Sequence, residues 1–277
     1  MSVGTKSHMA KWIVNGLLIA GTVFTLLPLA WMLSASFMQP GEASHTPPPL
    51  LPAHATLANY RELFLRAGMG RYLLNSFLIA GMITLASLAF NLSAGYAFAK
   101  LRFDGRERLF QLVLAALLVP LQVAMMPLFL LMKWLHLVNS YGGVIVPALA
   151  TALGIYLVRQ YARSIPDDLI EAARVDGAGE WTIFLRIVLP LLKPMIVTLA
   201  VLTFLASWND FMWPLIVLSD QAWQTAPVAL AGLSREHVQD NELMMAGSVV
   251  TILPVLLLFL LLQRQYLQGL LLGSVKG

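Results

Sequence analysis

The sequence predicts an all-α polytopic membrane protein with six transmembrane helices, and composition and charge spacing are the observations that predict it. Of its 277 residues, 58% are hydrophobic and only 12% are charged, and the mean hydropathy is +0.75. A soluble domain carries roughly 25% charged residues, and a single core could not bury this much apolar surface. The ionisable residues are spaced so that six stretches reach the length of about 20 apolar residues that a spanning helix needs. We therefore expect a single transmembrane domain over residues 1–277.

The six predicted spans lie where Lys, Arg, Asp, Glu and His are scarce. The first is too long for a signal peptide, whose apolar region has about 7–15 residues, so we expect it to remain a membrane helix. The fifth is expected to be irregular, because Lys193 and Asp210 interrupt it and charge is costly inside the bilayer. The predicted bounds are about 12–37, 72–99, 109–132, 137–158, 187–218 and 243–263.

The loops between these spans predict the orientation, because Lys and Arg are retained on the cytoplasmic side. Thirteen of them fall on the face that carries both termini: Lys6, Lys11, Lys100, Arg102, Arg106, Arg108, Arg159, Arg163, Arg174, Arg186, Lys193, Arg264 and Lys276. Five fall on the other face: Arg61, Arg66, Arg71, Lys133 and Arg235. Both termini are therefore expected to be cytoplasmic. The outer face would carry a proline-rich linker over 37–71 and a polar loop over 220–242, which either contact an external partner or are only solvated connectors.

The loop over 159–188 carries its own helix signals. Pro166 stands where a helix can begin, and Asp167 and Asp168 follow it beside the positive end of the helix dipole. The helix should stop at Asp176-Gly177-Ala178-Gly179, where glycine can take the left-handed cap conformation. A second helical piece over 181–188 then leads to Pro190. One interpretation is an amphipathic helix that lies in the lipid headgroups.

The order of residues in this loop favours a more specific interpretation. Glu171-Ala-Ala-Arg-Val-Asp-Gly-Ala, followed by Leu189-Pro190, resembles the EAA loop of ABC importer permeases. Residues 12–277 are similar to the carbohydrate-uptake branch of these permeases, the maltose and glycerol-phosphate type. The supporting motifs are Leu74-Asn75-Ser76-Phe77, Tyr96-Ala97-Phe98-Ala99, Trp208-Asn209-Asp210-Phe211, Trp213-Pro214-Leu215 and the terminal Gly273-Ser274-Val275-Lys276-Gly277. The resemblance implies the type I ABC importer permease fold.

The resemblance also implies an assembly in a bacterial-type cytoplasmic (inner) membrane. A second homologous permease would complete the path, two ATPase subunits would bind ATP and Mg²⁺, and an extracytoplasmic sugar-binding protein would deliver the substrate. The chain has no Gly-x-x-x-x-Gly-Lys-Ser/Thr phosphate loop, so it is not expected to be the ATPase. As an importer permease it is expected to be no enzyme, to hold no cofactor and to bind no nucleic acid. The 166–190 loop would couple to the ATPase. The coupling residues are predicted to be Glu171, Ala172, Ala173, Asp176, Gly177, Gly179 and Pro190.

Each coupling residue has an expected role. Ala172 and Ala173 would form a small surface that fits deep into a cleft of the ATPase, and Glu171 would pair with a basic group there. Gly177 and Gly179 would keep the turn tight, and Pro190 would mark where motion passes into the fifth span. The tail over 269–277 would extend between the ATPases, or would simply fray.

The transport path should be lined by uncharged polar side chains and aromatic rings, because sugars offer hydroxyl groups and apolar ring faces. The predicted path residues are Asn91, Tyr96, Gln122, Trp208, Asn209 and Asp210. Each of them could instead bridge neighbouring helices. Fixed cations are missing from the middle of every predicted span, which favours a neutral sugar over a phosphorylated one. The exact sugar, polyol or glycerol-phosphate stays open, as does whether the partner permease is a paralogue or an identical copy.

Two other classes compete with the importer. An ion-coupled secondary transporter or channel would use Asp210 as its titrating group. An intramembrane hydrolase would need a histidine near a membrane serine, yet the five histidines, at positions 8, 45, 54, 136 and 237, lie in predicted loops or termini. None of them has His-x-x-x-His spacing, so no metal site is expected.

Overall fold

The computed structural model describes residues 3–236 and 240–274, with side chains over 11–233 and 240–261. Those residues form helices, turns and loops and contain no strand, so the predicted all-α fold class is confirmed. The α-helices are α1 Val3–Ala35, α2 Ala58–Leu65, α3 Met69–Lys100, α4 Arg106–Ala116, α5 Leu121–Trp134, α6 Tyr141–Ile145, α7 Ala152–Ala162, α8 Asp167–Val175, α9 Glu180–Ile183, α10 Leu189–Leu191, α11 Lys193–Trp208, α12 Met212–Val217, α13 Ala226–Glu236 and α14 Asn241–Ser274. Short 3₁₀ segments occupy Glu42–Ser44, Val146–Ala148 and Gln221–Trp223, and a π-helical turn occupies Phe184–Val188.

Among the described residues, four helical stretches are long and apolar enough to cross a membrane, and two bent pairs raise the number to six if each pair is one span. The four are Lys11–Ala35, Met69–Lys100, Tyr141–Ala162 and Asn241–Leu261. The pair formed by α4 and α5 bends by 104°, and Glu180–Leu191 bends by 79° against α11. The sequence predicted an irregular fifth span but a continuous third one. The third breaks because Pro120 lacks an N–H donor and holds extended backbone, with ψ of 133°, before α5 begins.

Two predicted segments lie partly outside the described residues. These are the polar loop over 220–242, of which 237–239 are not described, and the tail over 269–277, of which 275–277 are not described. Before that point the backbone of α14 is helical to Ser274.

The chain divides into two compact units, the first formed by Met1–Gly70 with Ala229–Pro254. In this unit the linker after α1 is folded by hydrogen bonds and includes α2, rather than being extended throughout. The buried amide of Asn59 donates to the carbonyl oxygens of Ser36 and Met38, at 3.0 and 2.8 Å. The fully buried Glu242 accepts the N–H of Ala43 at 2.6 Å, so α14 holds the linker in place.

Glu42 organises the same linker from its own side chain. Its carboxylate accepts the backbone N–H of Ala53 at 2.6 Å and that of Gln39 at 3.0 Å. These two bonds, the first above all, lower the pKa of the Glu42 carboxyl because they stabilise its charged form. Glu42 is therefore ionised at neutral pH and keeps the linker turn closed.

The second unit comprises Arg71–Val228 with Val255–Gly277, and its core surrounds α3. One buried cluster joins the second half of α3 to α7, α8 and α11 and includes Tyr96, Val158, Ile170 and Phe184. Another joins the first half of α3 to α5 and α12 and includes Ile79, Met132 and Trp213. Both clusters contain α3, so this helix is the common packing partner of α5, α7, α8, α11 and α12.

The approach of α7 to α3 depends on a glycine. A Cβ atom at Gly95 would lie 2.5 Å from the Cβ and Cγ1 atoms of Val158. We expect Gly95→Val to lower the free energy of unfolding by about 1–3 kcal/mol, because overpacking forces the helices apart. Thermal unfolding of the purified chain in detergent measures this effect. Gly81→Val is the matched control, since a Cβ at Gly81 of the same helix has no atom within 4 Å; equal destabilisation by both variants would contradict the predicted contact.

Candidate functional site

The helix α8 begins and ends where its sequence signals predict. Pro166 precedes its first turn, where Asp167 and Asp168 face the positive end of the helix dipole. At the other end Gly177 has a φ of 82°, the left-handed conformation that glycine adopts without steric cost. The N–H of Ala178 donates to Ala173 O at 2.9 Å and that of Gly177 to Arg174 O at 3.0 Å, which is a Schellman cap. Gly179 has an ordinary φ of −72°, so the turn requires glycine only at Gly177.

The two faces of α8 differ in exposure. Ile170 and Ala173 are buried, 2% and 9% exposed, against the cluster formed by α3 and α7. Glu171, Ala172 and Asp176 are exposed. The prediction that Ala172 and Ala173 both lie at the surface is therefore wrong for Ala173. Residues three apart share a helix face, so Ala173 follows Ile170 inward, and the free surface is formed by Glu171, Ala172 and Asp176.

Lys100, the last residue of α3, attaches the start of α8 to the membrane helix. Its ammonium group donates to Asp167 Oδ1 at 2.6 Å and to the carbonyl oxygen of Ile165 at 2.5 Å. The lysine side chain is 5% exposed and the aspartate 74% exposed. The hydrogen bond from Lys100 lowers the pKa of the Asp167 carboxyl. A lowered carboxyl pKa contributes stability above the unfolded value, near 3.9, and loses it only as pH falls through the folded value, so the contact is complete at neutral pH.

Glu180 attaches the far end of α8 to the same helix. Its Oε1 accepts from Arg174 Nε at 2.7 Å, and its Oε2 accepts the hydroxyl of Tyr96 at 3.1 Å. This pairing raises the pKa of the Arg174 guanidinium, chiefly through the hydrogen bond. The ring of Tyr96 packs on Phe184, with centroids 5.1 Å apart. One carboxylate thus joins α8, α9 and α3.

Two predicted path residues make contacts within the chain. Tyr96 is 4% exposed and lies in the Glu180 contact just described. Asn91 is fully buried: its amide donates to Ser87 Oγ at 2.8 Å and Thr151 Oγ1 at 3.1 Å and accepts the N–H of Thr151 at 3.0 Å. Neither side chain is accessible to a substrate. Both residues therefore fit the alternative prediction, in which a polar side chain bridges neighbouring helices.

Three other path candidates lie together at the break between α11 and α12. Trp208 is 2% exposed and stacks on Phe204, with centroids 5.8 Å apart. Asn209 is exposed and donates to Leu205 O at 2.9 Å. Asp210 Oδ1 accepts the N–H of Trp213 at 3.3 Å, so this carboxylate caps α12. Of the three, Asn209 is the most exposed, and Asp210 is half-buried.

The remaining candidates stand apart from these groups. Gln122 is exposed in the first turn of α5, and the described residues show no hydrogen bond between it and another path candidate. Pro190 is exposed and lies in α10, directly after the π-helical turn Phe184–Val188. The coupling residues over 171–179 thus form one group, and the path residues over 208–210 form another. The structure does not bring these two groups together.

Several residues that hold this site were missed from the sequence. Lys100 was counted only as a loop cation, and Glu180 was not considered. Arg159 was also missed: its Nη2 donates to Glu107 Oε2 at 2.8 Å, and its guanidinium carbon lies 3.7 Å from the centroid of the Phe110 ring. Apart from Arg174, which is six positions before Glu180, the side chains that hydrogen-bond to these three residues are 52 to 84 positions away along the chain, so no local motif marks them.

Comparison with known proteins identifies the family. The family described as binding-protein-dependent transport system inner membrane component matches residues 91–268, which contain the whole EAA loop and the break after Trp208. The chain belongs to this family. The predicted recognition is confirmed, and as an inner membrane component with several apolar helices the chain is a multi-pass membrane protein.

Curated relatives of this inner membrane component extend the match to nearly the whole chain. The arabinooligosaccharides transport system permease protein AraQ of Halalkalibacterium halodurans is 39% identical over 272 residues, 96% of this chain and 98% of that protein. The sn-glycerol-3-phosphate transport system permease protein UgpE of Yersinia pestis is 33% identical, covering 92% of this chain and 93% of its own length. The diacetylchitobiose uptake system permease protein NgcG of Streptomyces coelicolor is 32% identical, covering 91% and 85%.

A solved structure confirms the fold of this family member. It is described as a bacterial ABC transporter involved in the import of the acidic polysaccharide alginate, and its matching chain has a TM-score of 0.82. The match has 24% sequence identity and covers 93% of this chain and 97% of that chain. The predicted ABC importer permease fold is therefore confirmed.

Proposed function

We propose that this inner membrane component is the permease subunit of an ATP-driven, binding-protein-dependent sugar importer, and that α8 is where a cytoplasmic ATPase docks. The observation that carries the proposal is the exposed face of α8. Glu171, Ala172 and Asp176 are open to a partner on a helix whose other face is packed against the core. A small, fixed surface with two carboxylates, those of Glu171 and Asp176, suits insertion into a cleft that contains basic groups.

The proposed coupling works because α8 is attached at both ends. Lys100, the last residue of α3, holds the start of α8 through Asp167. Glu180 holds the end of α8 through Arg174 and also accepts a hydrogen bond from Tyr96 of α3. When the ATPases bind ATP and Mg²⁺ and close, α8 would therefore move together with α3 as one body. The chain supplies no hydrolytic group itself, and a second permease subunit would complete the path.

The proposed topology places both termini and the α8 loop in the cytoplasm. The thirteen-to-five division of Lys and Arg between the two faces supports it. The opposite face, with the linker after α1 and the segment over 220–236, would then meet the extracytoplasmic binding protein.

The proposed substrate is a neutral oligosaccharide. Two of the relatives named above are permeases for arabinooligosaccharides and diacetylchitobiose. Along the four unbroken described spans, Lys and Arg occur only near helix ends, so these helices place no fixed cation for a phosphate in the middle of the membrane. Because another relative is named as an sn-glycerol-3-phosphate permease, that compound is the alternative substrate to test.

Reconstitution tests the function directly. The chain, its partner permease, two ATPases and the binding protein would be placed in liposomes and supplied with labelled arabinotriose, diacetylchitobiose or sn-glycerol-3-phosphate. We expect uptake of a neutral oligosaccharide that requires both ATP and the binding protein. Uptake that follows a proton or sodium gradient without ATP would refute the importer and favour ion coupling through Asp210. Uptake of glycerol-phosphate alone would refute only the substrate assignment.

A further inference from the structure

A cavity of about 590 Å³ lies beside α8 in the second unit. Its walls come from the last turn of α3, the first turn of α4, the end of α7 and one side of α8. Three of these four are ends of membrane helices, where a bilayer places its headgroups. Under the proposed topology, on which this inference rests, the cavity opens at the cytoplasmic headgroup level.

The cavity has an excess of positive charge. Three of its cations are already paired, Lys100 with Asp167, Arg159 with Glu107 and Arg174 with Glu180. Arg102, Arg106 and Arg163 line it as well, and within residues 11–233 and 240–261 none of them has a carboxylate at ion-pair distance.

The surroundings of these three arginines do not neutralise them. Arg106 donates one N–H to the carbonyl oxygen of Leu101 at 3.0 Å, which leaves most of its donors available. Glu171 is the one lining carboxylate outside the ion pairs named above, within the described part of the chain. Three arginines that share a cavity repel one another, and a bound anion would remove that cost.

A phosphate group fits this arrangement chemically. The guanidinium group presents parallel N–H donors that match two phosphate oxygens, and it is less strongly hydrated than an ammonium group. The cavity is also large enough for a headgroup.

The apolar surface beside the cavity favours a lipid over a soluble phosphate. Phe103, in the loop after α3, is 40% exposed. Leu109 and Leu112, three and six residues beyond Arg106 on α4, are 49% and 67% exposed. An acyl chain attached to the bound phosphate can lie along such a surface, whereas a free anion makes no contact with it. We infer that this cavity binds the phosphate group of an anionic phospholipid of the cytoplasmic leaflet.

The test measures lipid binding to the purified full-length chain, without any transport assay. Native mass spectrometry would follow the delipidated chain titrated with phosphatidylglycerol and, separately, with phosphatidylcholine of the same acyl chains. We expect wild type to prefer phosphatidylglycerol, and the double variant R102Q/R163Q to bind it about 10- to 30-fold more weakly. Arg108→Gln is the control: it removes a cation of α4, two residues after Arg106, that does not line the cavity, and we expect it to leave the preference unchanged.

Several results would overturn the inference. Equal binding of the two lipids by wild type would refute it, and so would undiminished phosphatidylglycerol binding by R102Q/R163Q. Inorganic phosphate at millimolar concentration that displaces phosphatidylglycerol would assign the cavity to a soluble anion. Loss of ATPase association in R102Q/R163Q with unchanged lipid binding would assign it to the protein partner. If the double variant fails to fold, the salt dependence of wild-type binding decides: a preference for phosphatidylglycerol that survives 1 M NaCl would not be electrostatic.

Discussion

Replacing Glu171 by lysine is expected to reduce ATPase association and sugar-stimulated ATP hydrolysis by at least about 100-fold, because two like charges forced together at an interface cost several kcal/mol. Glu171 is exposed on α8 and takes part in no ion pair within the described residues. The substitution should therefore leave the fold of the chain intact. Co-purification of the ATPase in detergent and hydrolysis by the reconstituted complex measure the two effects.

A charge reversal on the neighbouring loop serves as the control for Glu171→Lys. Asp104→Lys makes an equal change of charge at an exposed position between α3 and α4. We expect this variant to retain ATPase association within about threefold, because its effect is limited to screened surface electrostatics. If Glu171→Lys retained association and hydrolysis as Asp104→Lys does, α8 would not be the docking site.

Replacing Asn91 by leucine is expected to lower the free energy of unfolding by about 1–3 kcal/mol, because it leaves a donor in the membrane interior without an acceptor. The amide oxygen of Asn91 accepts the N–H of Thr151, and Thr151 in turn caps α7 by accepting from Gly154 N at 3.2 Å. Removing the amide therefore loosens the start of α7 against α3. Thermal unfolding of the purified chain measures the loss.

The same substitution at Asn209 separates a structural amide from a path amide. Asn209 is exposed and makes its hydrogen bond within its own helix, to Leu205. We expect Asn209→Leu to change stability by less than about 0.5 kcal/mol while lowering the rate of sugar uptake. Should Asn91→Leu abolish uptake at unchanged stability, Asn91 would line the path after all and its bridging role would be secondary.

Local features of this protein could be predicted from sequence because their causes are local. Pro166 and the two aspartates that follow set the start of α8, and Gly177 supplies the left-handed residue that ends it. The charge-free stretches likewise predicted long apolar helices. Each of these signals depends only on residues within one or two helical turns of the feature that it predicts.

Features that depend on distant partners could not be predicted. Whether Ala173 faces the ATPase or the core is decided by the cluster around α3, which the EAA motif does not encode. Glu180 joins α9 to α3 because it accepts a hydrogen bond from Tyr96, which is 84 positions earlier in the chain. Asn91 was predicted as a path residue because an amide suits sugar hydroxyl groups and is costly to leave unpaired in the membrane, but Thr151 is its partner within the chain. A polar side chain in the membrane needs a hydrogen-bond partner whether it lines the path or bridges helices, so composition alone does not distinguish path residues from bridging residues.

The continuity of α3 has a thermodynamic consequence. Near the start of α3, Asn75 donates to the carbonyl oxygens of Ala222 and Gln224, on the face proposed to meet the binding protein. At the end of α3, Lys100 holds α8 through Asp167. About 38 Å of uninterrupted helix separates the two. Events at either face can therefore act on one shared equilibrium, and linkage requires that their effects be equal. By whatever factor the docked ATPase changes the affinity for the binding protein, the binding protein must change the affinity for the ATPase by that same factor.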